Sequence, residues 1–143
     1  MYLEDISIGA EKTVENIVID RQEMLDFANR YNPVKIHSDP EYAKQTRFGD
    51  IIAPGMLSFL AVWAQYVTVD FAGDELVAGK STSVEWHKPV FAGDTLRGIA
   101  KVTGLSFRNE HNGTLTVTIE VFNQKDEKVL TAVAESIVRR TPH

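Results

Sequence analysis

Hydrophobic positions follow a helical spacing in the first half of the chain and a strand-like alternation in the second half. Residues 12–19 predict a strand. After it, Asp20 and Glu23 have the spacing of a capping box at a helix start, and Pro33 prevents that helix from continuing. Between these limits apolar residues recur at helical spacing, at Met24, Phe27, Ala28 and Tyr31. We therefore expect one strand and then one capped helix.

A shorter helix is predicted over residues 40–45, PEYAKQ. Asp39 can cap this helix, with Pro40 at its first position. Ser38 and Glu41 form an equally good capping box. The preceding segment, which contains His37, is expected to be an irregular loop between the two helices.

Residues 51–69, IIAPGMLSFLAVWAQYVTV, form a long apolar segment without a charged side chain. About 19 such residues can span a bilayer, but Pro54 and Gly55 interrupt the segment near its start. A helix from Gly55 to about Thr68 would be roughly 20 Å long, short of a hydrocarbon core of ~30 Å. The pattern therefore favours a buried central helix, and we expect no membrane association.

The remaining sequence predicts four strands, over residues 81–90, 94–107, 114–122 and 128–140. The third alternates most cleanly, with Leu115, Val117, Ile119 and Val121 on one face. Gly98 and Gly104 are expected bend or bulge points in the second. Helices followed by antiparallel strands indicate a single α+β domain over residues 1–143. One sheet face cannot cover a helix that is apolar nearly all round, which predicts a homodimer or higher homo-oligomer.

Composition removes several classes of function. The 143 residues are about 43% hydrophobic, carry a net charge of −5 and have a pI of about 5.3. The chain has no long run of basic residues, so nothing in its charge pattern indicates nucleic-acid binding. The absence of cysteine excludes disulfides, thiolate metal sites and cysteine nucleophiles. The first ten residues, MYLEDISIGA, lack the basic and apolar regions of a secretory signal, so we expect a cytoplasmic protein.

Three of the four histidines have ordinary structural explanations. His143 is terminal, His111 lies in a polar turn, and His87 is expected to lie on a strand beside Trp86. His37 differs because it precedes the central helix among hydrogen-bonding neighbours. No second histidine lies near it at a spacing that fits a metal site. Two roles stay open for His37: a structural histidine in a loop, or a general base near neutral pH.

Gly55 is the second candidate because it begins the central helix. A helix N-terminus presents free N–H groups and the positive end of the helix dipole. These groups can stabilise a carbonyl oxygen that gains negative charge in a transition state, and glycine allows a ligand to approach closely. Alternatively, the Ala-Pro-Gly sequence is simply a helix start.

Two longer motifs resemble a known family. The first is YNPVKIHSDPEYAKQTRFGDIIAPGM, residues 31–56, and the second is KPVFAGDTL, residues 88–96. Together with the order of strands, they resemble the MaoC-like acyl dehydratases, also called (R)-specific enoyl-CoA hydratases. In that family four residues separate an Asp from a His, and one further residue separates the His from a second Asp. A glycine-containing run then leads into the central helix. The matching positions are His37, Asp39, Phe48, Gly49, Ile51, Ile52 and Gly55.

The resemblance implies a hot-dog fold, a curved antiparallel sheet wrapped around one long central helix. It also implies dimers with acyl-thioester sites near the interface, and hydration of 2-enoyl-CoA or dehydration of 3-hydroxyacyl-CoA. His37 would be the base and Gly55 N–H the oxyanion donor. No metal or redox cofactor is expected, because coenzyme A is part of the substrate. Candidate cations for its phosphates are Lys35, Lys44, Arg47, Lys88 and Arg108.

Asn32 departs from the family pattern, because an Asp stands there in the family. An amide cannot accept a proton as a carboxylate does, although it can orient water or the imidazole. Two alternatives therefore stay open. One is a non-catalytic acyl-CoA-binding protein. The other is a thioesterase, which is less favoured because no carboxylate lies between Gly55 and Val69.

Overall fold

The computed structural model describes residues 1–142. The helices are α1 (Arg21–Tyr31), α2 (Lys35–Ser38), α3 (Pro40–Ala43) and α4 (Gly55–Tyr66). The strands are β1 (Glu11–Val18), β2 (Leu76–Trp86), β3 (Thr95–Phe107), β4 (Asn112–Phe122) and β5 (Lys128–Arg139). Short 3₁₀ turns lie at Leu3–Asp5 and Gly73–Glu75. The expectation for His143 lies outside the described residues.

All five strands form one antiparallel sheet in the order β1-β3-β4-β5-β2. The chain between β1 and β2 contains all four helices, and the hairpins β3–β4 and β4–β5 build the centre of the sheet. The long strand β3 shifts register between Val102 and Gly104, as expected for a bulge. The pairing of β1 with β3 also shifts register directly after the pair of Val14 with Gly98, so Gly98 lies beside a bulge as well. It has a second role. A Cβ there would lie 2.7 Å from Cγ1 of Val62, so glycine lets α4 approach the sheet.

The core lies between α4 and the inner face of the sheet. Val62 and Tyr66 of α4 are buried among apolar strand residues, including Leu96, Val117 and Ile119. Burying a side chain such as Val or Leu contributes about 1.5–3 kcal/mol, so this shared layer stabilises the packing of α4 on the sheet. The α+β class and the hot-dog architecture, with its central helix and antiparallel sheet, are therefore confirmed. No helix within residues 1–142 is both long enough and apolar enough to cross a membrane.

The local signals at helix starts act as expected. Asp20 caps α1 by accepting a hydrogen bond from the N–H of Glu23 at 3.0 Å. Asp39 caps α3 by accepting from the N–H of Tyr42 at 3.1 Å, with Pro40 at the first position. The path of the chain on both sides of His37 is therefore fixed by two helix caps, Asp20 and Asp39, and by two prolines, Pro33 and Pro40.

Strand β2 and helix α4 differ from the sequence prediction in their bounds or burial. Strand β2 begins at Leu76, five residues before the predicted start at 81, because residues 76–80 pair with β5 despite weak local strand signals. Helix α4 ends at Tyr66 and is not buried all round, since Met56 and Leu60 are exposed. No element within residues 1–142 covers these two apolar side chains.

Candidate functional site

A cavity of about 470 Å³ lies between α2, the start of α4 and the end of β2. Its lining combines two neighbouring segments and a third that is distant in sequence: Asn32, Ile36 and His37; Arg47, Phe48, Ile52, Ala53, Gly55, Met56 and Ser58; and Trp86, His87, Lys88, Pro89 and Val90. The cavity therefore brings Asn32, His37 and Gly55 to one place. It also includes residues that the sequence did not single out.

Helix α2 sets the orientation of His37. The segment is a single helical turn and not the irregular loop we expected, and the N–H of His37 donates to the carbonyl of Val34 at 2.9 Å. The ring Nδ1 lies 2.8 Å from the carbonyl oxygen of Ile52. Because a carbonyl only accepts, Nδ1 carries the proton of the neutral ring and Nε2 keeps its lone pair. His37 is thus held in the tautomer that can act as a base through Nε2.

Backbone hydrogen bonds fix the carbonyl that orients His37. The N–H of Ile52 donates to the carbonyl of Ile36 at 3.2 Å, and the N–H of Ala53 donates to the carbonyl of Val90 at 2.7 Å. The segment before α4 is therefore tied to α2 on one side and to the turn after β2 on the other. This arrangement couples the position of the imidazole to the position of the helix start.

The start of α4 presents free donors to the cavity. Pro54 precedes the helix and supplies no side-chain cap, while its carbonyl accepts from the N–H groups of Leu57 and Ser58 at 2.9 and 3.2 Å. The N–H groups of Gly55 and Met56 have no intrahelical acceptor, as at any helix N-terminus. They are therefore available to a ligand oxygen, and the helix dipole favours negative charge there.

Gly55 also allows the indole of Trp86 to lie against the helix start. A Cβ on Gly55 would stand 2.4 Å from both Cε2 and Nε1 of Trp86. Any larger residue would have to move the indole, so glycine is required by packing as well as by access. The sequence contained no signal for this contact, because Gly55 and Trp86 meet only in the folded chain.

Asn32 ends α1 and leaves its side-chain amide unpaired. Its N–H donates to the carbonyl of Ala28 at 2.9 Å, and its carbonyl accepts from the N–H of Val34 at 2.8 Å. No hydrogen bond of the side chain is made to any part of the chain that the structure describes. Asn32 lines the cavity, and the donors and the acceptor of its amide are free to bind a ligand there.

The cavity lining is cationic and contains no carboxylate among its described residues. Lys88 is bound to Glu127 at 2.7 Å, and this hydrogen bond is the main cause that lowers the pKa of Glu127 below its ordinary value. Arg47 makes no ion pair within residues 1–142, and its guanidinium lies 4.9 Å from the ring centre of Phe48. Arg47 is therefore the charged group best placed to meet an anionic ligand.

The other predicted cations do not line the cavity. Lys35 lies over the ring of Tyr42 at 5.5 Å, and Lys44 is paired with Glu41 at 3.0 Å. Arg108 belongs to the β3–β4 turn, where its N–H donates to the carbonyl of Asn112 at 3.1 Å. Of the five cations named from the sequence, the structure brings only Arg47 and Lys88 to the cavity.

Two of the remaining histidines have clear positions. His111 is exposed in the β3–β4 turn, as expected. His87 lies just beyond the end of β2, where it lines the cavity with Nε2 2.9 Å from Oγ1 of Thr131. Within residues 1–142, no group of three or more metal-ligating side chains is positioned to hold a metal ion.

Comparison with known proteins gives the same family for most of the chain. The profile of the MaoC like domain matches residues 7–125. The uncharacterized protein YdeM of Bacillus subtilis is 28% identical over 141 residues, which cover 98% of this chain and 100% of that protein.

Solved structures agree with this fold. A structure described as a monoamine oxidase regulatory protein from Archaeoglobus fulgidus is 31% identical, with a TM-score of 0.92 over 99% of this chain and 96% of that one. The R-hydratase PhaJ1 of Pseudomonas aeruginosa is 26% identical, with a TM-score of 0.72 over 99% of this chain and 86% of that one. With the family profile matched over 7–125, the chain belongs to the MaoC-like dehydratase family.

Proposed function

We propose that this protein adds water to 2-enoyl-CoA thioesters, or removes it from 3-hydroxyacyl-CoA thioesters, with His37 as the base. The observation that carries the proposal is the hydrogen bond from His37 Nδ1 to the Ile52 carbonyl at 2.8 Å. It leaves Nε2 unprotonated in a cavity that the free N–H of Gly55 shares. The similarity to an R-hydratase supports the same chemistry.

The reaction balances with these groups alone. His37 Nε2 takes a proton from water while the water oxygen bonds to C3 of the enoyl thioester. The electron pair of the double bond moves through C2 to the thioester oxygen, where Gly55 N–H stabilises the negative charge. The His37 imidazolium then returns its proton to C2, so the ring ends neutral. Dehydration is the same sequence in reverse.

Asn32 sets the expected speed of this reaction. Its amide can hold the attacking water by a hydrogen bond, but it cannot share the proton or neutralise the imidazolium. No carboxylate among the described residues lines the cavity to take that part. We therefore expect slow turnover.

Coenzyme A enters the proposal as part of the substrate. Arg47 lies at the cavity and lacks an ion-pair partner within residues 1–142, so it is suited to a phosphate group. Lys88 would first have to leave Glu127. Because no carboxylate among the described residues lines the cavity, a second function stays possible for the protein, which is to bind acyl-CoA without turnover. No further cofactor is proposed.

We also propose that a second copy of the chain covers the exposed apolar residues of α4 and the free edge of β2. Met56 and Leu60 are exposed on α4, and Val77 and Trp86 are exposed on β2. Strand β2 is at the end of the sheet order, so its outer edge is unpaired. Light scattering after gel filtration should give at least twice the 16.0 kDa chain mass. A monomer at micromolar concentration would contradict this assembly.

The catalytic proposal is tested with crotonyl-CoA, following the loss of the conjugated thioester absorbance. The wild-type protein should hydrate it slowly, and His37→Ala should have no measurable activity. His111→Ala is the matched control, because it removes an exposed histidine outside the cavity, and it should keep the wild-type rate. If the wild-type protein binds crotonyl-CoA without hydrating it, the binding function replaces the catalytic one.

A further inference from the structure

Ser58 has a buried hydroxyl without a hydrogen-bond partner. The residue is 1% exposed and lines the cavity. Its Oγ is buried and makes no hydrogen bond to any residue from 1 to 142. Leaving a buried hydroxyl unpaired is destabilising, so the unpaired hydroxyl of Ser58 requires an explanation.

Other hydroxyls in this chain show what Ser58 could have done instead. Hydroxyls near helix ends commonly bond to a carbonyl three or four residues earlier. Ser38 bonds to the Val34 carbonyl at 3.1 Å and Thr46 bonds to the Ala43 carbonyl at 2.7 Å. Ser58 does not use this local solution. Its hydroxyl therefore keeps an unused hydrogen-bond donor in a residue that lines the cavity.

The position of Ser58 places this hydroxyl near the helix start. Residues three apart lie on the same face of a helix, and helical side chains lean toward the N-terminus. The side chain of Ser58 therefore extends over the turn that contains Gly55, which has no side chain to intervene. The indole of Trp86 occupies the space where a Cβ of Gly55 would be, so the cavity is bounded there by an apolar wall.

We propose that the Ser58 hydroxyl is a second oxyanion donor, which acts beside the Gly55 N–H on the thioester carbonyl oxygen. This inference rests on the proposed function. Ser58 keeps its proton throughout, and its hydrogen bond to the oxygen strengthens as the enolate forms. Two donors aimed at one oxygen stabilise developing charge more than one donor does. The ligand satisfies the hydroxyl that the protein leaves unpaired.

The test compares Ser58→Ala with Ser58→Thr, which retains a hydroxyl. Removing one oxyanion donor typically lowers kcat about 10²–10³-fold, so Ser58→Ala should lose about 10²-fold in kcat with KM nearly unchanged. Its Tm should stay the same or rise, because the unpaired hydroxyl is gone. Ser58→Thr should recover most of the activity. Ser7→Ala, which removes an exposed hydroxyl outside the cavity, should match the wild type.

A spectroscopic readout separates this proposal from the proposed function. Crotonyl-CoA labelled with ¹³C at the thioester carbonyl is bound to His37→Ala, where it does not react, and the carbonyl stretch is measured by infrared difference. Ser58→Ala in this background should move the band back toward its frequency in water. An unchanged band, or wild-type kcat in Ser58→Ala alone, overturns the role of Ser58. If the wild type binds crotonyl-CoA without hydrating it, only the catalytic proposal fails. The carbonyl band then still shows whether Ser58 donates a hydrogen bond to the thioester oxygen. If nothing binds, both proposals are overturned.

Discussion

Replacing Gly55 by alanine tests the close approach of Trp86 to the helix start. The new methyl group would stand 2.4 Å from Cε2 and Nε1 of the indole and 2.9 Å from Cδ2. These separations are shorter than a van der Waals contact, so the indole has to move. Overpacking in a well-packed site costs about 1–3 kcal/mol.

The exposure of Trp86 decides where in that range the cost lies. The residue is 48% exposed on one protomer, so the ring can turn away from α4 without displacing the core of its own chain. We therefore expect Gly55→Ala to lose about 1 kcal/mol, which corresponds to a fall in Tm of roughly 2–4 °C for a domain near this size. Activity should fall much further, because the wall of the cavity has moved beside the N–H that receives the thioester oxygen.

A double-mutant cycle with Trp86→Ala isolates this contact. Thermal unfolding is measured for the wild type, both single variants and Gly55→Ala/Trp86→Ala, and the coupling free energy is taken from the four values. If the clash is the cause, Gly55→Ala should cost little stability once the indole is absent. An equal loss with and without the indole would refute the packing explanation. The loss would then come from the backbone at the helix start.

Three other changes give separate tests. Asn32→Asp should raise kcat for crotonyl-CoA at least about tenfold, because a carboxylate can share the proton of the water and general acid–base groups contribute about 10²–10⁴-fold to the rate. Unchanged kinetics would show that Asn32 does not contact the water. Gly98→Ala should lower unfolding free energy by about 1–3 kcal/mol in urea titration, because the methyl would meet buried Val62, which has no route to solvent; wild-type stability would contradict this packing. Glu127→Gln should lower Tm slightly near neutral pH, and the difference should vanish in acid. The pKa of Glu127 is lowered in the folded state by Lys88, so its stabilisation is present above the unfolded pKa and is lost as pH falls through the folded one; a constant difference at all pH values would contradict it.

Local sequence signals were sufficient for the elements that carry the fold. The charge-free segment around Gly55 predicted the central helix, and the alternation through Val117 and Ile119 predicted β4. Asp20 and Asp39 cap the helices that they were expected to cap. These features depend on residues close in sequence, so no knowledge of the folded chain is needed to recognise them.

The composition of the cavity depends on long-range contacts that no local pattern records. The hydrogen bond from Ala53 N–H to the Val90 carbonyl joins segments that are far apart in the chain, and it brings Trp86 and His87 to the start of α4. The same reason explains the cations: charge alone could not show that Lys44 is paired with Glu41 on α3 while Arg47 faces the cavity.

Catalysis by His37 depends on which ring nitrogen carries the proton. Proton–nitrogen correlation spectra of ¹⁵N-labelled protein distinguish the two neutral tautomers of histidine, and His37→Ala assigns the signals of this ring. The hydrogen bond to the Ile52 carbonyl predicts a proton on Nδ1 and an unprotonated Nε2 when the ring is neutral. A neutral ring with its proton on Nε2 would contradict the role of His37 as the base that takes a proton from water.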